Sequence, residues 1–242
     1  MIAQLLGSGL SGREMILHLL CMLFAILISF SFHEFMHARV AVWLGDPTPD
    51  ELGRLTLNPL AHLDPIGTVL ILVAGFGWGK PVVYNPNKLK RFKNARLMNI
   101  MVHLAGVTGN FIIAMIFSIF LGIVLGFSVK YSHIALQALA LVCSYTISFS
   151  LMLLAFNLLP IPPLDGFHVL EELLPYKVKT SEGYMQFQRY SPMVIWIIFM
   201  VSSFGNIRIL NVAMEVIQFP FRFICTLLMT LFEYLISLLF TL

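Results

Sequence analysis

Residues 15–44 read MILHLLCMLFAILISFSFHEFMHARVAVWL, and this stretch decides the fold. Residues 15–32 contain no Asp, Glu, Lys or Arg and are numerous enough to begin a membrane-spanning helix. The helical pattern continues to Leu44, after which Gly45 can cap the helix and Pro47 prevents its continuation. About thirty residues at 1.5 Å each give a helix of about 45 Å, so we expect His33 to lie in the second half of the membrane.

The overall composition is that of an integral membrane protein. Of the 242 residues, 59% are hydrophobic and 11% are charged, and the mean hydropathy is +0.89. Soluble globular proteins carry about 25% charged residues, and a soluble protein of this size cannot bury so much apolar surface. The same numbers exclude a disordered chain. A net charge of +3 without a basic face excludes nucleic acid as a partner.

Four later apolar stretches are predicted to span the membrane. They comprise residues 97–129, 134–159, 193–204 (extending to about 216) and 221–242. The apolar run 66–75 is too short to span, and the glycine-rich stretch after it ends in the strand-favouring residues 82–84. We therefore predict an all-α polytopic membrane protein with five to six transmembrane helices and a small re-entrant or β element near 66–84.

The distribution of Lys and Arg predicts the orientation in the membrane. One basic cluster precedes the span at 97–129, and a second lies in the next loop but one. The two clusters comprise Lys88, Lys90, Arg91, Lys93 and Arg96, and Lys177, Lys179 and Arg189. Basic loops favour the cytoplasmic face. We therefore expect the N-terminus outside and His33 nearer the cytoplasmic side.

The sequence His33-Glu34-Phe35-Met36-His37 carries the candidate chemistry. A charged residue such as Glu34 inside a spanning helix is a functional candidate by default. His33 and His37 share a helical face, so that two imidazoles can hold one Zn²⁺, and Glu34 beside them can take a proton from water. The alternative interpretation is a pair of core histidines with a glutamate that is satisfied by its neighbours.

A catalytic zinc site needs a third protein ligand and an open fourth position. The aspartates of the chain are Asp46, Asp50, Asp64 and Asp165. The first three lie in the loop directly after the histidine helix, too close to fold back easily. Asp165 follows Pro160, Pro162 and Pro163, which must unwind the chain at membrane depth, where such backbone lines a cavity. Asp165 is therefore the candidate third ligand, with an N-cap of a helix over 166–174 as the alternative.

With these motifs the chain resembles the site-2 protease family of intramembrane zinc metalloproteases. Residues 33–37 match the first motif of the family, and residues 157–166 match its N-x-x-P…L-D-G motif. The stretches 54–67 and 77–81 are similar to its compact prokaryotic members that lack a PDZ domain. The resemblance implies one zinc ion per chain, with His33, His37 and Asp165 as ligands and Glu34 as the general base.

The resemblance also implies a domain organisation, a reaction and a location. We expect one integral membrane domain over residues 1–242, with a protease core at about 15–175 and C-terminal helices at about 190–242. The expected reaction is hydrolysis of a peptide bond within or near the transmembrane segment of a single-pass membrane protein. The expected location is a prokaryotic cytoplasmic membrane, where the lipid bilayer surrounds the enzyme; the sequence leaves the oligomeric state open.

Two asparagines are further candidates, each with an open alternative. The chain has Asn110 without the proline that the family often carries before this asparagine. By resemblance, Asn110 is predicted to donate to the scissile carbonyl or its oxyanion, and Asn157 is predicted to bind substrate. Either residue can instead form a hydrogen bond between helices.

A substrate helix hides its amides in its own hydrogen bonds and must unwind before attack. We predict that an exposed edge at 77–84, including Val82 and Val83, holds the unwound peptide by main-chain pairing. Two other functions stay open: a membrane zinc carrier that uses the same ligands, and an inactive relative that retains substrates. The sequence gives no role for four further polar residues, namely His62, Asp64, His103 and Glu233.

Overall fold

The computed structural model describes residues 9–74, 77–131, 133–204 and 209–241. Within these ranges the chain is mainly helical and contains no β-sheet. The long helices are α1 (Gly12–Leu44), α5 (Ala95–Ser128), α6 (Ile134–Asn157), α9 (Glu182–Phe204) and α10 (Ile209–Thr241). The shorter helices are α2 (Thr48–Glu51), α3 (Pro59–His62), α4 (Pro65–Ala74), α7 (Asp165–Leu173) and α8 (Tyr176–Lys179), with a 3₁₀ turn at Pro86–Lys88.

Helix α1 begins and ends at residues suited to these positions. Ser11 and Glu14 form a capping box, in which each side chain accepts a hydrogen bond from the backbone N–H of the other residue. At the other end, Gly45 has a φ of 114° and donates its N–H to the carbonyls of Ala41 and Val42. Glycine adopts this left-handed conformation without strain, which confirms the predicted end of the helix.

Four helices of the described ranges are long and apolar enough to cross a membrane: Gly12–Leu44, Ala95–Ser128, Ile134–Asn157 and Leu210–Phe240. The predicted count of five to six spans is not confirmed. Residues 193–204 form only the second half of α9, whose first half is polar. The predicted separation between 216 and 221 is wrong, because α10 continues through Pro220. A membrane helix tolerates an internal proline when neighbouring helices satisfy the freed backbone groups.

The region 66–84 contains more helix and less β structure than its sequence suggests. Residues Pro65–Ala74 form α4, and a single antiparallel bridge joins Leu63 to Gly79. Residues 80–85, called here the 80–85 segment, follow without regular secondary structure. The predicted β element is not confirmed beyond this bridge. Gly75 and Phe76, which belong to the predicted element, lie outside the described residues.

Helix α5 lies at the centre of the fold and packs against α1, α6, α7 and α10. Near one end, Met98 and Val102 of α5 pack with Ala41, Leu44 and Leu89. Farther along α5, Ala114 packs with Leu151 of α6 and Cys225 of α10. Because close packing rather than hydrophobicity holds helices together in lipid, these contacts fix α5 against the half of α1 that carries the histidines.

Candidate metal centre

Three side chains from two separate helices converge at one point. His33 and His37 come from α1, and Asp165 is the first residue of α7. The two Nε2 atoms are 3.1 Å apart, and Asp165 Oδ2 is 3.4 Å from His33 Nε2 and 3.2 Å from His37 Nε2. The structure thus brings together the three predicted ligands, and they form a group that could hold a metal ion.

The chain break before α7 positions Asp165. Helix α6 ends at Asn157, and the proline-containing residues 158–164 are not helical, as predicted. Leu164 occupies the N-cap position of α7 without a side-chain hydrogen bond. Phe167, which is 2% exposed, anchors the first turn in the interior. Asp165 therefore does not act as the N-cap, and its carboxylate is free to face the imidazoles.

Helix α5 orients both imidazole rings although it supplies no ligand. The Val102 carbonyl oxygen lies 2.7 Å from His37 Nδ1, which donates to it and leaves Nε2 with its lone pair. The Asn110 amide lies 3.0 Å from His33 Nδ1, and Asn110 Oδ1 has no partner within the described part of the chain. The nitrogen and oxygen of an asparagine amide can exchange positions by a half-turn of the side-chain amide. Exchanging them lets Asn110 Oδ1 accept from His33 Nδ1, which frees the Nε2 atom of His33 as well.

Gly106 of α5 allows the close approach of this helix to the imidazoles. A Cβ at this position would overlap His37 Nε2 and would lie 2.5 Å from His33 Cε1. Such contacts are far shorter than van der Waals distance, so that any side chain here displaces the rings. The glycine is required by the site and not only by the helix packing.

The residues present fit a zinc ion. Asp165 Oδ2 is buried and receives no hydrogen bond from the residues that the structure describes. With both Nδ1 atoms donating elsewhere, the lone pairs of three atoms face one another, and a cation removes their repulsion. Tetrahedral ligands at about 2.0–2.1 Å from a zinc ion lie about 3.3 Å apart, which matches the separations of 3.1–3.4 Å.

Glu34 is held beside this group by a main-chain contact. Its side chain is buried, and Oε2 accepts a hydrogen bond of 3.0 Å from the backbone N–H of Val82. The carboxylate thus joins α1 to the 80–85 segment. A substitution that removes the Val82 N–H would therefore alter the position of Glu34. No sequence pattern indicates this contact.

A cavity of about 760 Å³ contains the candidate ligands and Glu34 in its wall. Val82, Val83 and Asn157, the predicted substrate-binding residues, also line it. Val83 is 59% exposed, and its backbone N–H and C=O form no hydrogen bond with any described residue. Asn157 Nδ2 donates to the Leu153 carbonyl at 3.0 Å. The substrate roles of these three residues, and the oxyanion role of the fully buried Asn110, stay predictions.

Asp46, which sequence reasoning set aside, anchors the 80–85 segment. Its Oδ2 accepts from the Asn85 backbone N–H at 2.5 Å, and its Oδ1 accepts from the Thr48 N–H at 3.0 Å. Burial raises the pKa of Asp46, but the hydrogen bonds from Thr48 and Asn85 outweigh this effect and hold the pKa below its ordinary value. The ionised carboxylate thereby ties the segment to the end of α1. The position of Asp46 directly after the helix-capping glycine is the sequence feature that could have indicated this anchoring role.

Three residues without a predicted role now have structural contacts. His62 Nε2 donates to the Thr56 carbonyl, 2.7 Å away, and the His62 carbonyl accepts from the Lys80 N–H. Asp64 Oδ1 accepts from the N–H groups of the first turn of α4. His103 Nε2 lies 3.0 Å from the Tyr84 hydroxyl. These contacts shape the loop and the cavity wall beside the candidate metal ligands.

Comparisons with known proteins identify a matching family and two relatives. The sequence profile of peptidase family M50 matches residues 127–202, which contain Asp165. The chain is 39% identical over 181 residues to "Putative zinc metalloprotease YwhC" of Bacillus subtilis (strain 168), covering 75% of this chain and 80% of that protein. It is 34% identical over 155 residues to "Putative zinc metalloprotease Rip2" of Mycolicibacterium smegmatis, covering 60% of this chain and 54% of that protein. No solved structure matches the chain.

Replacing Asp165 with Ala removes one of three candidate ligands, so we expect zinc content to fall well below one ion per chain. Elemental analysis of the purified protein measures this content. Asp50→Ala, at an exposed carboxylate, is the matched control and should retain its zinc. An unchanged zinc content in Asp165→Ala would remove Asp165 from the ligand set.

Replacing Asn110 with Leu removes the acceptor that orients His33, and outer contacts of this kind contribute about 10–100-fold to metal affinity. We expect a decrease of that size in zinc affinity, measured by competition with a chelator. Asn110→Asp keeps an oxygen acceptor and should retain the affinity, as should Thr108→Val on the same helix. Equal affinities for Asn110→Leu and the wild type would exclude this orienting role.

Proposed function

Since this chain belongs to peptidase family M50, the site-2 protease family, we propose that it is an intramembrane zinc metalloprotease. Its proposed substrate is a single-pass membrane protein, cleaved within or next to the transmembrane segment. The observation that carries the proposal is the convergence of His33, His37 and Asp165 beside Glu34 in one cavity. Two of these ligands come from a helix that is apolar and long enough to cross a membrane.

The residues of the site have two proposed roles in peptide hydrolysis, namely metal binding and proton transfer. His33, His37 and Asp165 would hold the zinc ion, which when bound activates water at neutral pH and polarises a carbonyl oxygen. Glu34 accepts the proton of the attacking water and then passes it to the leaving amine. Because Val82 N–H occupies one lone pair of Oε2, Glu34 is held in place while its remaining lone pairs can take the proton.

The 80–85 segment is the proposed site of substrate pairing. Three of its N–H groups are held by residues of α1, of the loop after it and of α3: Val82 by Glu34, Asn85 by Asp46 and Lys80 by the His62 carbonyl. Val83 lies between these anchors with its own N–H and C=O unpaired among the described residues. An extended peptide that lies along Val83 would gain main-chain hydrogen bonds next to Glu34.

The proposed location is the cytoplasmic membrane of a prokaryote, with the N-terminus outside. The basic residues before α5 and in the loop around α8 support this orientation, since basic loops favour the cytoplasmic face. The orientation places His33, Glu34 and His37 nearer the cytoplasmic side, in the second half of α1. Single-pass substrates would reach the site from the lipid bilayer.

Replacing Glu34 with Gln removes the proton acceptor but none of the ligands. We expect zinc content to be retained and cleavage to fall by at least about 100-fold, as is typical for loss of a general base. Cleavage products are measured in membranes by immunoblot, after comparison of membrane proteomes has identified a substrate. Glu51→Gln, at an exposed carboxylate, is the control.

A zinc carrier would still transport zinc after the Glu34→Gln change, and an inactive relative would show no cleavage even in the wild type. Zinc uptake into proteoliposomes separates the first alternative from a protease. Full proteolytic activity of Glu34→Gln would contradict the proposed mechanism.

Replacing Val83 with Pro removes one unpaired N–H and leaves the Val82 contact with Glu34 in place. We expect a higher KM with unchanged zinc content, because only substrate pairing is lost. Val83→Ala keeps the N–H and is the matched control. Equal kinetics of Val83→Pro and Val83→Ala would reject pairing at this residue. Val82→Pro is not a suitable test, because it would also remove the hydrogen bond that holds Glu34.

A further inference from the structure

We infer that a second pocket, formed by α1, α6 and α10, binds the unwound backbone of the substrate next to the scissile bond. This inference rests on the proposed proteolytic function and adds a subsite to it. The pocket has a volume of about 380 Å³. It shares Phe30, Leu153 and Phe156 with the cavity that contains the candidate metal ligands. A peptide that leaves the catalytic cavity past these side chains enters the pocket directly.

One face of α10 supplies polar groups to this otherwise apolar pocket. Asn211, Glu215, Gln218 and Arg222 are spaced by four, three and four residues, so they share one side of the helix, and all four line the pocket. We call these residues the polar stripe. A strip of polar and charged side chains on a membrane helix is costly and indicates a function.

The polar stripe has no partner among the residues that the structure describes. Gln218 is only 9% exposed, yet its side-chain amide makes no hydrogen bond there. Glu215 and Arg222 likewise form no ion pair with a described residue. The amide and charged groups of the polar stripe therefore remain available in the pocket, which suits an occupant that supplies hydrogen-bonding groups.

An unwound peptide is the occupant that matches this chemistry. Peptide N–H and C=O groups freed from a helix need partners at membrane depth. The amides of Asn211 and Gln218 each offer donors and acceptors, whereas the carboxylate and guanidinium offer one kind each. An intact substrate helix has no free backbone groups to bind. Glu215 on the same face as Arg222 disfavours an anionic lipid headgroup.

The packing of α10 fixes the polar stripe relative to the candidate metal ligands. Met214, next to Glu215, is buried with Leu159 and Leu164 of the segment that leads to Asp165. Ile195 of α9 completes this cluster. The position of the pocket relative to the candidate ligands is therefore set by the packing of α10 against the segment that leads to Asp165.

The test measures kcat and KM of Gln218→Leu and Asn211→Leu on a membrane substrate that the wild type cleaves. Loss of one such hydrogen bond is expected to raise KM by about tenfold, since about 1.4 kcal/mol corresponds to a factor of ten. The kcat and the zinc content should be unchanged, because the ligands and Glu34 are intact. Thr230→Leu, a polar-to-apolar change at an exposed position of the same helix outside the pocket lining, is the control.

A second measurement does not depend on catalysis. In the Glu34→Gln background, Asn211→Cys is combined with single cysteines along the substrate, and disulfide formation is measured in membranes. We expect crosslinks within a few residues of the scissile bond and none to more distant positions. This measurement also covers the case in which Gln218→Leu fails to fold.

Failure of the subsite can be distinguished from failure of the proteolytic function. If the wild type cleaves but both leucine variants keep its KM, the subsite is rejected and the protease stands. A KM that responds only to lipid headgroup composition, or crosslinks only to distant substrate positions, would also overturn the subsite. If the wild type and Glu34→Gln cleave nothing, the proteolytic function itself fails.

Discussion

The structure depends on the convergence of three electron-pair donors inside a helix bundle. The Nε2 atoms of His33 and His37 and Oδ2 of Asp165 lie 3.1–3.4 Å apart, with no hydrogen bond to the carboxylate oxygen among described residues. In an apolar interior, such an arrangement is unfavourable unless a cation occupies it. The break in the chain after α6 and the orientation of both imidazoles are the conditions under which this convergence arises.

Helix α5 contributes no ligand, yet its packing determines the geometry of the site. It supplies the carbonyl of Val102 to His37, the amide of Asn110 to His33, and the space at Gly106 that both rings occupy. These three residues are separated by four positions each and share one face of the helix. Helix α5 is continuous from Ala95 to Ser128, so this face is presented to α1 without interruption.

The 80–85 segment links the proposed base to the proposed substrate edge. Glu34 and Asp46, one within α1 and one directly after it, accept N–H groups from the same short segment. A displacement of that segment would therefore shift the Glu34 carboxylate, because the Val82 N–H is hydrogen-bonded to it. Pairing of a peptide along Val83 would reinforce the arrangement in which Glu34 faces the cavity, so binding and catalysis would be coupled through main-chain contacts.

The sequence by itself determined the membrane character, the end of α1 at Leu44 and the three candidate ligands. Hydropathy, a capping glycine and the i, i+4 spacing of His33 and His37 are local properties that need no knowledge of the fold. Only the tertiary structure decided the contacts of Asn110, Gly106 and Asp46 and the course of α10 through Pro220. Each of these depends on a neighbour that is distant in sequence: an imidazole, the 80–85 segment, or the helices that pack around a proline. Packing partners of this kind leave no periodic pattern in the chain, which is why residue spacing and the proline break located the candidate ligands but not the residues that contact the two imidazoles.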